Sequence, residues 1–174
     1  KLHTALSDLE VLISEEEVKL WHLSYPIKNE KNFLIVATTR PETMFGDTAV
    51  AVNPNDDRYK AIIGKKVIVP VINREIPIIA DEYVDSDFGT GCVKITPAHD
   101  FNDYEIGKKH KLVMINIFNE NAQLNENVPK DFQGLTREKG RECLLKALSD
   151  LGFLKKTENH ISKIPRGDRS GVIV

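Results

Sequence analysis

Two aspartates three residues apart, Asp100 and Asp103, stand where a β-favouring run gives way to an amphipathic one, within GTGCVKITPAHDFNDYEIGKKH at Gly89 to His110. Residues at that spacing share a helix face, and a helix's first turn gathers free N–H groups and the positive end of the backbone dipole, so both acids can stay ionised there. A fixed anionic pocket is the chemical consequence. Capping explains the same residues, with Asp100 as N-cap and Asp103 as a capping-box-like acid. Capping alone leaves unexplained Lys94 on the incoming strand, Gly89 and Gly91 stripping side chains from the approach, and a second polar loop upstream.

That loop is Thr38-Thr39-Arg40-Pro41-Glu42-Thr43. Pro41 pushes Arg40 toward extended backbone, and the three threonine hydroxyls with neighbouring N–H groups could face one concave spot. Such donors suit an oxyanion or a positioned water. The alternative is a strand-exit turn whose threonines bond their own backbone. No Ser-His-Asp or Cys-His arrangement supplies a covalent nucleophile; Cys92, in a strand after Gly91, reads as buried packing. His99, beside Asp100, is open to two readings, general base or structural hydrogen-bonder.

The elements that must position these groups follow from pattern. Trp21, Leu23 and Tyr25 alternate, and with Phe33 to Ala37 beyond the turn residues Asn29 to Asn32 they predict a hairpin. Strands are expected at Thr48 to Val52, Lys66 to Val69, Ile76 to Ala80, Cys92 to Ile95 and Met114 to Phe118, with short extended pieces at Phe153 and Ile161 to Ile164. Helices are expected over Pro54 to Ile63, from Asp100 to about Lys109, and over Thr136 to Ser149, the last stopped near Gly152. The polar run Asn119 to Asp131, like Lys1 to Leu6, is expected to be mobile. Together this is a mixed β/α fold, mainly β, with a curled or closed barrel-like sheet and peripheral helices.

The 174 residues suffice for one domain with a real core, and the longest apolar runs fall far short of the roughly 20 residues a membrane span needs. A net charge of −2 with interspersed signs argues against a broad phosphate-coating surface, so any nucleic-acid contact is local. The basic bias at Lys155, Lys156, Lys163, Arg166 and Arg169 reads as a solvated face or a phosphate track. Two cysteines, Cys92 and Cys143, give neither a disulfide framework nor metal spacing, and the five histidines are dispersed; a reducing, cytoplasmic compartment without a zinc site is expected. Lys1 in place of an initiator Met, with no apolar signal core, suggests a piece of a longer protein.

Three stretches carry a resemblance: ATTRPETMFGDTAVAVNP at Ala37 to Pro54, IPIIADEYVDSDFGTGCVKITPAHDFNDYEIGKKH at Ile76 to His110, and the closing IPRGDRSGVIV. The chain resembles the editing domains inserted into the class I synthetases for valine, isoleucine and leucine, over nearly its whole length. Arg40 with Glu42, then Gly46-Asp47-Thr48-Ala49-Val50, match the valyl-tRNA synthetase branch, where the leucine and isoleucine branches typically read TTRPDT and TTTPWT. The resemblance implies one editing domain over 1–174, with 1–12 and 165–174 as connectors to a class I catalytic domain.

The implied reaction is hydrolysis of the ester of threonine mischarged onto tRNA(Val). An apolar synthetic pocket rejects threonine's extra hydroxyl only weakly, valyl-tRNA synthetase being the known instance. A polar second site penalises valine by leaving buried polar groups unpaired. By the same resemblance Asp103 binds the α-ammonium, and Asp100 and Lys94 shape the side-chain and ester end. Arg40, Thr38, Thr39 and Thr43 hold the terminal adenosine, the ester carbonyl and the attacking water. Phe88 lies against the pocket or the adenosine, with core packing as its alternative. No cofactor is implied for the editing step, ATP and Mg belonging to the synthetic domain. The implied partners are the single-stranded 3′ end of tRNA(Val) and the catalytic domain in cis, in a monomer. A noncatalytic amine clamp and a structural brace are the alternatives; neither requires the acid pair and the threonine loop together.

Overall fold

The structure is a computed structural model, and it describes residues 11–167. The expected connectors, and Lys1 to Leu6, therefore lie outside the described residues except at the ends of two strands. Two compact units divide the chain, Trp21–Lys156 and Lys1–Leu20 with Thr157–Val174. In the second unit the described residues are the outer parts of β1 (Val11–Pro26) and β7 (Leu154–Gly167). Every candidate site residue lies in the first.

The expected hairpin forms: β1 pairs antiparallel with β2 (Phe33–Thr38), Trp21 opposite Thr38 and Tyr25 opposite Leu34. With β7 they make a three-stranded sheet, order β2-β1-β7. A four-stranded sheet, order β4-β5-β3-β6, contains β3 (Ala49–Val52), β4 (Lys66–Val69), β5 (Arg74–Ala80) and β6 (Cys92–Ile95). Central β3 runs parallel to β5 and antiparallel to β6. Its four residues are all buried because both faces are covered. Val50 and Val52 enter one hydrophobic cluster with Leu23, Tyr25, Val36 and Phe45, while Ala49 and Ala51 enter another with Val84, Ile95 and Ile106.

The second cluster seats helix α1 (Phe101–Lys109) through Ile106. At Gly107 a β-carbon would lie 2.9 Å from Pro97 Cβ, so the helix backbone rests directly on the segment that leaves β6. At the other end of α1, Asp81 accepts from the Tyr83 N–H at 2.8 Å and pairs with His110 at 2.8 Å and Lys109 at 3.2 Å. Helix α2 (Arg137–Leu151) is capped by the Thr136 hydroxyl and stopped by Gly152 at φ 84°, as its sequence predicts, and it buries Leu144 and Leu148.

Mainly β with few helices is therefore right, while the ladders among the described residues make two sheets and no closed barrel, with one isolated bridge, Ile27 to Val67, near both. Three local expectations need correction. Pro54 to Ile63 is a set of turns with a short 3-10 helix at Lys60–Ile62, because Asn53 and Asp56 spend their side chains on local N–H groups, at 2.8 Å to Asn55 and 3.1 Å to Arg58. Met114 to Phe118 forms no strand: only Phe118 bridges, to Leu124, and Val113 and Met114 are largely exposed. The polar run from Asn119 to Asp131 is a hydrogen-bonded loop that buries Leu124 and Val128; the Asn119 carboxamide alone accepts from Asn121 and Gln123 at 2.9 and 3.0 Å.

Candidate functional site

Asp100 is the N-cap of α1, its Oδ1 accepting from the Asp103 N–H at 3.0 Å. Asp103 does not complete a capping box. Its Oδ2 turns away from the helix and accepts the backbone N–H of Thr96, just past β6, at 3.0 Å. Its other oxygen accepts no hydrogen bond from the described residues, which leaves an acceptor on a half-buried carboxylate. Burial first, with Asp100 and Asp47 adding to it, pushes the Asp103 carboxyl up to about 6 against the pull of the Thr96 N–H and Lys94. A carboxylate that is costly to ionise and short of donors is primed to take a cation.

Lys94, only 8 % exposed, follows from strand alternation: with Cys92 it occupies the β6 face opposite Val93 and Ile95. Its ammonium has three hydrogens and three acceptors: Thr43 Oγ1 at 2.9 Å, Thr96 Oγ1 at 2.7 Å and Asp47 Oδ1 at 2.9 Å. Asp47 is fully buried and also accepts from the Thr96 hydroxyl at 2.6 Å and the Tyr25 hydroxyl at 2.5 Å. Burial pushes the Asp47 carboxyl above its ordinary range, and Lys94, Thr96 and Tyr25 act against that rise. Tyr25 is raised well above ordinary phenols, by burial first and then by Asp47.

In the threonine loop two of the three threonines bond the loop's own backbone, as a strand-exit turn requires. Thr38 Oγ1 accepts from the Arg40 N–H at 3.0 Å, a local turn. Thr43 donates its hydroxyl to the Arg40 carbonyl at 2.8 Å while receiving Lys94. Thr39 is half-buried, and its side chain makes no hydrogen bond among the described residues. Arg40 reaches across to the pre-helix segment, donating to the His99 carbonyl at 3.0 Å and lying 3.7 Å from Asp100. After Pro41 the chain winds into a fully buried 3-10 helix, Pro41–Gly46. There Glu42, fully buried, receives Arg141 of α2 in a fork at 2.7 and 2.9 Å.

His99 proves to be a structural group. Its Nε2 accepts from the Ile117 N–H at 3.0 Å, so the neutral ring carries its proton on Nδ1, and it packs edge-on against Phe118. Burial lowers its pKa, and Arg40, Lys94 and Arg137 lower it further. Cys92 is buried, and burial pushes its thiol up to about 11, which suits packing. Phe88 is 71 % exposed, which removes the core alternative. Gly91 serves something other than the approach to the acids: at φ 77° it makes room for the Asp56–Arg58 ion pair, a β-carbon there falling 2.6 Å from Arg58 Nη2.

The structure thus joins Arg40, Thr43, Lys94, Asp100 and Asp103 in one chain of contacts. Asp47, Thr96 and Tyr25 belong to it and were not among the expected site residues. Thr96 was within reach of sequence reasoning, since it stands two places after Lys94 and so on the same side of an extended chain. Among the described residues no group of three or more His, Cys, Asp or Glu side chains is arranged to hold a metal ion, and no helix is long and apolar enough to cross a membrane.

Comparison with known proteins bears on what this arrangement serves. The family model of the leucyl-tRNA synthetase editing domain matches residues 58–160. A valine–tRNA ligase of Legionella pneumophila (strain Lens) is 56% identical over all 174 residues, which correspond to 19% of that protein. That of Dechloromonas aromatica (strain RCB) is 55% identical over the same residues, 18% of its length. The chain therefore spans about a fifth of the curated relatives it matches. Among solved structures, a LeuRS of Agrobacterium radiobacter K84, in a ternary complex with tRNA and LeuAMS, matches with a TM-score of 0.60 at 21% identity, over 87% of this chain and 20% of that one. That is a likeness of fold.

Proposed function

The chain belongs to the leucyl-tRNA synthetase editing-domain family, and on that premise we propose that it hydrolyses the ester of threonine mischarged onto tRNA(Val), within a valine–tRNA ligase. Identity of 55 to 56% to valine–tRNA ligases supports the valine branch. The observation that carries the reading is Asp103: a half-buried carboxylate with one oxygen on the Thr96 N–H and the other uncommitted. An α-ammonium supplies the charge-assisted partner that this oxygen lacks. Arg40, the partly exposed cation beside Asp100, takes the terminal nucleotide, and Thr39 offers an uncommitted hydroxyl to the ester carbonyl or the water. An aminoacyl ester is already activated, so positioning a water and stabilising the oxyanion suffice without a metal, a cofactor or a covalent intermediate. The exposed Phe88 offers a ring for stacking on the adenine. The parent enzyme acts as a cytoplasmic monomer that supplies most of the tRNA contacts.

The test is threonine release from threonyl-tRNA(Val), with valyl-tRNA(Val) as control and Asp103→Ala alongside, in the full-length synthetase. Selective release lost with Asp103→Ala is the expected result. Undiminished clearance of threonine by Asp103→Ala would overturn the site, and equal cleavage of both esters would overturn the specificity.

A further inference from the structure

Asp47 belongs to no part of the chemistry above, yet it is the group on which both halves of the site converge. Its Oδ1 receives Lys94 at 2.9 Å and the Thr96 hydroxyl at 2.6 Å, and its Oδ2 receives Tyr25 at 2.5 Å. Lys94 continues to Thr43, whose hydroxyl is turned onto the Arg40 carbonyl, so one arm from Asp47 ends in the threonine loop. Thr96 continues through its own N–H to Asp103, so the other arm ends on the ammonium-binding carboxylate. We propose that Asp47 is a positioning residue for ester hydrolysis, holding the threonine loop and Asp103 in register from beneath without touching substrate; this rests on the editing reading above.

Donor counting gives this role its physical content. All three ammonium hydrogens of Lys94 are taken inside the network, so Lys94 has none left for substrate in this arrangement and acts by fixing Thr43 and Thr96. Each hydroxyl hydrogen also has one destination, Thr96 to Asp47 and Thr43 to Arg40. Both threonines are therefore held as acceptors toward Lys94, Thr96 oriented by Asp47 directly and Thr43 by the Arg40 carbonyl, with Asp47 reaching it only through Lys94. Gly46 belongs to the same construction: a β-carbon there would lie 3.0 Å from the Ile115 carbonyl and 3.2 Å from Thr96 Cγ2. Removing the charge while keeping the shape leaves Lys94 without its counter-ion and frees the Thr96 hydroxyl to rotate.

The experiment compares Asp47→Asn, which keeps shape and one acceptor, and Tyr25→Phe, which deletes one donor to Asp47, in the full-length synthetase. Thermal unfolding of the chain confirms that each variant folds. In a folded Asp47→Asn the kcat for threonine release is expected to fall about ten- to a hundredfold with KM little changed, because misplacement of reacting groups acts on the chemical step. Tyr25→Phe is expected to lose only about threefold, since the carboxylate keeps its stronger, charged partner. An independent readout is the NMR signal of the Lys94 ammonium, slow to exchange when three acceptors hold it away from water and lost in Asp47→Asn. Release by a folded Asp47→Asn within about twofold of the parent would overturn the proposal, as would an unchanged Lys94 signal. If Asp47→Asn does not fold, Tyr25→Phe decides, undiminished kcat overturning the proposal. If the unsubstituted enzyme releases no threonine, the editing reading fails, and the Lys94 signal alone decides whether Asp47 orders the network.

Discussion

The buried network around Asp47 and Lys94 and the rim formed by Asp103, Asp100 and Arg40 use the same chemical groups to opposite ends. In the network, donors and acceptors match: three ammonium hydrogens meet three oxygens, and every hydroxyl hydrogen has an acceptor. On the rim they do not match. Asp103 keeps a free oxygen, and Arg40 and Asp100 are 40 and 39 % exposed at 3.7 Å, too far apart for a close hydrogen bond. A closed set of partners makes scaffold, and an open one leaves capacity for a ligand. Acid and base types alone do not tell them apart, and counting bonds does.

The largest contrast is between Lys94→Met and Asp103→Asn. Lys94→Met leaves Asp47 as a buried charge without its counter-ion and is expected to cost about 3 to 5 kcal/mol of stability. Asp103→Asn is expected to leave the fold intact and to slow threonine release by about a hundredfold, the loss of one charge-assisted contact of roughly 2.7 kcal/mol. Denaturant unfolding beside threonine release measures both. A stable Lys94→Met, or an Asp103→Asn that releases threonine at the parent rate, would erase the distinction between network and rim.

Next in size is the fork that holds the threonine loop from its other side. Arg141→Ala leaves Glu42 with Arg137, at 3.9 Å, as its remaining ion-pair partner among the described residues. A loss of about 2 kcal/mol is expected, less than for a fully buried pair because the Arg141 side chain is 30 % exposed. Arg141→Lys restores charge without the planar fork and is expected to recover only part of that loss in the same unfolding measurement.

These residues also show what was legible in the sequence. Alternation placed Trp21, Leu23 and Tyr25 in a hairpin, Lys94 was noted on the strand that leads to the acids, and the cap and stop of α2 were found at Thr136 and Gly152. Asp100 is the N-cap that its spacing predicted, while Asp103 bonds Thr96 and not its own helix start. Asp47 and Glu42 entered only as markers of a resemblance. Their partners lie far along the chain, Tyr25 and Lys94 for one and Arg141 for the other, and local pattern carries no record of which buried charge meets which. The two misassigned stretches failed for a related reason. At Pro54 to Ile63 side chains outcompeted the helix for backbone donors, and at Met114 to Phe118 apolar residues had no neighbouring strand to pair with.

Below these comes Gly107→Ala, which presses on the rim and not on the network. The new methyl would meet Pro97 at 2.9 Å, and both are backbone-anchored, so α1 must shift. A loss of about 1 to 2 kcal/mol is expected from overpacking. Because α1 carries Asp103, threonine release should weaken while the slow-exchanging Lys94 signal stays in place. Loss of that signal in Gly107→Ala would mean that rim and network move as one body.

The narrowest effect, confined to one titrating group, is a pH dependence of stability that belongs to Asp103. Its carboxyl titrates at about 6 in the folded chain, against about 3.9 unfolded, chiefly because it is buried, with Asp100 and Asp47 adding to the rise. Between those values the folded state holds a proton that the unfolded state has released, so this group's stabilisation is full below about pH 4 and is lost as pH rises through about 6. Threonine release should run the other way over the same window, since only the carboxylate attracts the α-ammonium. Asp103→Asn should flatten the stability slope between about pH 4 and 6 and leave the remaining titration unchanged. Melting temperatures of the two chains across that range give the answer. Parallel curves would mean that Asp103 is already ionised at pH 4 in the folded chain, and its free oxygen would then be an ordinary solvated acceptor with no unmet demand for a cation.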